Sequence, residues 1–221
     1  MALNKLKFNS LNVTPTAGKA IGFNSSADGL EATLSGGAMT FIKKLTASSS
    51  GTLSFVDGAS DVVLDNTYKE YFFIFNNIHP ATDQAQFSFQ VDTGTNTNYN
   101  QPITSTFYRA YNLEDGGQSG IGYVTGDDQA QGTGFQVLSH SGTVGNANDE
   151  NLAGYLHLFN PSSSTFVKHF VSRTSANHEG NYEIDSFCAG YVNTTTALTR
   201  VQFKMDSGNI DAGTITLYGI N

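Results

Sequence analysis

Catalysis or metal chemistry needs a nucleophile with a base, two facing carboxylates, or a cluster of His, Cys, Asp and Glu. The five histidines, His79, His140, His157, His169 and His178, show no helical metal-ligand spacing. His157 lies between Leu156 and Leu158, and His169 falls in the stretch from Phe166 to Val171. Two neighbouring strands carrying them would bring them together as a metal or acid–base pair. One exposed and one hydrogen-bonded sheet histidine is the favoured expectation. Carboxylates adjoin at Glu114-Asp115, Asp127-Asp128 and Asp149-Glu150. A glycosidase needs two carboxylates about 5–10 Å apart across a cleft; nothing in the spacing sets such a distance, and solvated loop charges are expected. Asp92-Thr-Gly-Thr-Asn-Thr-Asn98 is oxygen-rich like a calcium loop but lacks the distal glutamate, so it reads as a polar surface loop. Cys188, the single cysteine, sits in an apolar strand and reads as buried and inert. No catalytic residue, metal ligand or cofactor is assigned, and the chain reads as a non-enzyme.

Aromatic residues offer more. Tyr99, Phe107, Tyr108, Tyr111 and Tyr123 lie in or beside long polar loops of the middle third. Exposed aromatics among Asn, Gln and Asp hold sugar rings by stacking and by hydrogen bonds to hydroxyls. They serve equally well in protein interfaces, where tyrosine is enriched. The third reading is that Phe107 and Tyr111 face the core. Tyr99, Tyr108, Tyr111 and Tyr123 are the candidate surface binding residues.

Strands must position these groups. Thr40 to Leu45 and Gly51 to Val56 read as strands, the second with Leu53 and Phe55 on one face. Tyr68 to Ile78 is the strongest, and its unbroken apolar centre predicts burial on both faces. His79-Pro80 should end it, since proline cannot donate to a ladder. Gln86 to Val91 alternates Phe87, Phe89 and Val91 with Gln86, Ser88 and Gln90. Further strands are expected at 103–111, 121–124, 135–138, 155–159, 166–171, 184–189, 201–205 and 214–218. The last, behind the turn at Ser207 to Asn209, should be sewn into a sheet. Polar loops are expected at 92–101, 112–132 and 139–152. Turn punctuation roughly every dozen residues is the pattern of an antiparallel β-sandwich, jelly-roll-like, over residues 39–221.

Bulk properties agree. Only 14% of the 221 residues are charged, against about 25% in ordinary globular proteins, and 16 Phe and 10 Tyr supply much of the apolar content. A net charge of −8 argues against a nucleic-acid partner and against anionic membranes. The longest apolar run, Tyr71 to Phe75, is far too short to span a bilayer. Met1 to Phe8 lacks the apolar centre of a signal peptide, so synthesis in a cytoplasm is expected. Residues 1–38 differ: Gly18, Gly22, Gly29, Gly36, Gly37 and Pro15 interrupt regular structure, and Leu6, Phe8, Leu11 and Val13 are isolated apolar anchors. This segment reads as an extended amino-terminal arm that docks on something larger.

Four stretches carry a family resemblance: Met39 to Phe55, Leu64 to Asp83, Gly154 to His169, and Phe203 to Ile220 with its "SGNIDAGTITLYG" ending. Together they resemble small tail-fibre-like and virion structural proteins of tailed bacteriophages, of the marine cyanophage type. The resemblance implies a β-sandwich virion protein, displayed on tail, fibre or head surface, and partnered by other virion proteins. A capsid decoration (cement) protein and a glycan-binding receptor-recognition module are the alternatives. Closed symmetric oligomers are the rule, and the resemblance implies a homotrimer. Loops 92–101, 112–132 and 139–152 would face outward, toward any host-surface glycan or receptor, and the anchors Leu6, Phe8, Leu11 and Val13 would attach the protein to the particle.

Overall fold

The computed structural model describes residues 20–23, 26, 28–33, 38–140, 142 and 144–220. Among them are fifteen strands and no helix. The chain divides into two compact units, Met1–Ala38 and Met39–Asn221. In the first, β1 (Ala20–Phe23) and β2 (Leu30–Thr33) pair as an antiparallel hairpin with Phe23 opposite Leu30. Leu6, Phe8, Leu11 and Val13 lie outside the described residues.

The second unit is an antiparallel sandwich of a large and a small sheet. The large sheet contains β3 (Met39–Thr46), β5 (Glu70–Pro80), β7 (Ile103–Leu113), β8 (Ser119–Tyr123), β9 (Ala130–Gly132), β11 (Leu152–Phe159), β12 (Lys168–His178), β13 (Tyr182–Val192) and β15 (Ile210–Ile220). Its order is β3-β15-β5-β11-β12-β13-β7-β8, with β9 also paired to β7. The small sheet holds β4 (Leu53–Val56), β6 (Phe87–Thr93), β10 (Gln136–Val137) and β14 (Leu198–Met205), in the order β10-β6-β14-β4. The chain changes sheet at each step from β3 to β7, and again on either side of β10 and of β14, so the two layers are interleaved along the sequence.

Alternation explains the core. Tyr71, Phe73 and Phe75 of β5 point inward and are fully buried, as are Phe87, Phe89 and Val91 of β6. Phe203 of β14 is the hub, with its ring centroid 5.3–6.4 Å from those of Phe55, Phe73, Phe75, Phe87 and Phe89. Phe89 reaches across to Phe170 of β12 at 5.0 Å. Phe203 meets Phe55 and Phe75 edge-on and stacks on Phe87, and rings in such arrangements attract beyond their buried area. The terminal strand β15 lies between β3 and β5 and buries Ile215 and Leu217.

Several sequence expectations change. β5 is not sealed on both faces: Phe72 and Ile74 point outward and stay partly exposed. The strand runs through Pro80, opposite Ile210, because proline is tolerated where the ladder ends. β12 continues to His178, well past Val171. The expected outward face of β6 is also buried, because Gln90 Nε2 donates to the carbonyls of Gln101 and Gly134 at 3.0 and 2.8 Å. A polar side chain tolerates burial when its hydrogen bonds are made.

Candidate functional site

Four strands cannot cover nine. Over β12, β13 and β7, the inner face of the large sheet is roofed by the short strand β10 and the residues that follow it, through His140. The inward residues there are hydroxylic and bond that roof. Thr174 Oγ1 donates to the Leu138 carbonyl in a bond of 2.6 Å, Ser105 Oγ donates to Gln136 Oε1 at 2.6 Å, and the His140 N–H donates to Ser186 Oγ at 3.0 Å. The Gln136 amide donates in turn to the Asp127 carbonyl at 2.8 Å. Asp127 is itself buried and sits 2.6 Å from His140 Nδ1. A carboxylate this deep is held by such partners, so Asp127 is not the solvated loop charge expected from sequence. Asp128 is different: it accepts a short hydrogen bond from the Tyr123 hydroxyl, which raises the pKa of that phenol.

Beyond the roof the inner face opens into a groove on either side of two β7 side chains, Arg109 and Tyr111. One cavity, of about 230 Å³, is bounded by these two with Gln118, His178, Tyr182 and Ile184. The other, about 280 Å³, adds Tyr123 and His140. The Arg109 guanidinium carbon lies 5.1 Å from the Tyr111 ring centroid, and Tyr111 meets Tyr182 edge-on at 6.0 Å. Gly120 of β8 sits opposite Tyr111; a Cβ there would stand 3.0 Å from the phenol ring and hydroxyl. The absent side chain therefore lets β8 press against Tyr111 and fix its plane.

The outer face of the large sheet is the second candidate surface. Register aligns Phe41, Tyr218, Phe72, His157 and Val171 on five successive strands. A parallel row runs through Ile74, Tyr155, Arg173, Phe187, Tyr108 and Tyr123. Tyr108 stacks on Phe187 at 4.7 Å and 6°. Arg173 lies over Phe187 and forms a two-pronged ion pair with Asp185, at 3.0 and 2.6 Å. Phe72 stacks on Tyr155 at 5.0 Å. Cross-strand pairs of this type stiffen a sheet face by about 0.2–1 kcal/mol each.

The four tyrosines singled out by sequence therefore separate. Tyr108 belongs to the outer row and is 40% exposed, Tyr111 lines the inner groove, and Tyr123 is 53% exposed at the edge strand between them. Tyr99 is 9% exposed, so it is no surface aromatic. The cause is Asp92, fully buried, whose Oδ2 accepts the Tyr99 N–H at 2.9 Å while Oδ1 accepts from Thr93 and Gln101. That carboxylate is spent on closing its loop, which accounts for the oxygen-rich segment. Phe107 is core. His157 and His169 point to the outer face from adjacent strands but turn to different neighbours. His157 Nε2 lies 2.8 Å from Glu70 Oε2, off the line of a hydrogen bond, and His169 packs on Tyr191. Cys188 is buried, and burial pushes its thiol far above the ordinary range. Among the described residues there is no cluster of three or more metal-ligating side chains. Arg109 and Tyr182 went unnoticed in sequence, although Arg109 and Tyr111 two apart on one strand share a face. The Asp127–His140 contact had no local signal.

Compared with protein-family models, with curated proteins and with solved structures, the chain gives no match.

Proposed function

We propose that the chain is a non-enzymatic structural protein of a tailed-bacteriophage particle, displayed on the tail, a fibre or the head surface as one copy of a symmetric oligomer. The observation that carries the reading is the outer face of the large sheet. It presents aligned aromatic side chains whose charged neighbours are drawn into contacts, Arg173 with Asp185, Glu70 beside His157 and Glu183 with Ser175, and aromatics with arginine are the composition that protein interfaces favour. A strand-rich chain with only 14% charged residues suits a coat component, and the resemblance of four segments to virion proteins points the same way. The Met1–Ala38 unit, with exposed Ile21, Phe23 and Leu30 on its hairpin, is the segment assigned to attachment.

Incorporation tests this. Full-length protein and a form beginning at Met39 are supplied during phage growth, and purified particles are probed for each. The full-length chain should enter particles and the truncated one should not, while remaining folded by circular dichroism. Incorporation of the truncated form at the full-length level would remove the attachment role; absence of both from particles would remove the particle role.

A further inference from the structure

The groove on the inner face of β7 joins one cation to two phenol rings and to amide and imidazole groups, and we propose that it binds a sugar ring bearing a carboxylate. This goes beyond the particle role and does not depend on it.

Charge sets the class of ligand. Arg109 has neither an ion pair nor a hydrogen bond among the described residues; its one specific contact is the Tyr111 ring. Of the other two arginines, Arg173 is locked to Asp185, and Arg200, also without an ion pair among the described residues, borders neither cavity. A half-buried guanidinium offers a planar fork of donors that matches a carboxylate. Arg109 is the one Lys or Arg bordering either cavity. A single positive charge suits a monoanion, whereas a polyphosphate would meet one cation inside an acidic protein.

Shape sets the rest. Tyr111 and Tyr182 stand at 68° to one another, so one ring supplies a stacking floor and the other a wall. Sugars present an apolar C–H face to such rings and hydroxyls to polar neighbours. Gln118 and His178 line one side and His140 the other; Gln118 Oε1 accepts the Tyr182 hydroxyl at 3.3 Å and His178 Nδ1 the Gly180 N–H at 2.9 Å, so the Gln118 amide NH2 and His178 Nε2 are the groups offered to a hydroxyl. The cavities, about 230 and 280 Å³, share Arg109 and Tyr111. Each falls just below the roughly 300–1,000 Å³ of drug-sized sites, which suits one sugar ring on each side of the arginine. Gly120 keeps the floor in place before any ligand arrives, so little ordering is needed on binding.

The test uses the full chain and disaccharides containing glucuronate, galacturonate or N-acetylneuraminate, followed by tyrosine fluorescence, since tryptophan is absent, and by saturation-transfer NMR. At least one acid should bind saturably. Its methyl ester should bind at least about tenfold more weakly, because esterification removes the anion that the guanidinium fork pairs with. R109Q should lose binding by a similar factor with an unchanged thermal midpoint, and Y182A should weaken it too. If R109Q fails to fold, the comparison of acid with ester on the natural chain decides. The proposal is overturned if no acid saturates by about 10 mM, if acid and ester bind alike, or if folded R109Q binds as the natural chain does.

Discussion

Replacing Phe203 with alanine removes the hub of the sandwich. The side chain is fully buried and touches rings from β4, β5 and β6. Burial alone sets a Phe→Ala loss of about 3–5 kcal/mol, the spread reflecting how far the site collapses around the gap. Collapse is hindered here, because the five neighbouring rings belong to two sheets held apart by their own ladders. Each lost ring pair adds about 0.5–1.5 kcal/mol in isolation, though such terms are not additive. The expected loss is therefore near the top of the range, about 5 kcal/mol. In a chain of this length that lowers the thermal midpoint by roughly 10–20 °C. Urea denaturation and calorimetry measure both quantities. F203L should recover more than half of the loss, and F166A, at a 68% exposed site, should shift stability by no more than about 0.5 kcal/mol. A loss under about 2 kcal/mol for F203A, or an equal loss for F166A, would refute a core built around this ring.

Two further outcomes follow from buried groups. Lys168 is wholly buried, its ammonium donates to the Thr194 carbonyl at 3.0 Å, and burial holds its pKa below the usual 10.5. The unfolded chain then binds more protons between the folded value and about 10.5, so this group makes stability rise with pH across that window. K168M should be at least as stable as the natural chain at pH 7, and its advantage should shrink as pH climbs toward 10.5; a loss above about 2 kcal/mol at pH 7 would contradict this. Cys188 should resist a maleimide or disulfide reagent in the folded protein and react once urea unfolds it, since thiolate is the reactive form. Rapid labelling of the native chain would show that the β13 interior opens readily.

Strand positions were legible because alternation is local. Leu53 and Phe55, or Phe87, Phe89 and Val91, announce one face within a few residues, and the terminal segment announced a strand by its β-branched run. Polar burial was not legible. Thr174 and Ser186 look like solvent-facing positions until the loop around Leu138 to His140 lies over them, and that loop is 36 and 46 residues away. Asp127 and Asp92 look like surface acids for the same reason; their partners are supplied by chain reversal. Tyr99 read as exposed because its neighbours are Asn and Gln, yet one buried carboxylate pulls its backbone inward. The groove at Arg109 was hidden differently. It exists because a small sheet leaves the far end of a large one uncovered, a consequence of sheet order that residue spacing does not encode.

A mass-spectrometric inventory of purified particles, with copy number, bears most directly on the assignment to a phage coat. The expected result is this chain in a fixed copy number, a multiple of the particle's local symmetry, retained through density-gradient purification. Its recovery in the soluble lysate alone, with none in the particles, would contradict the assignment.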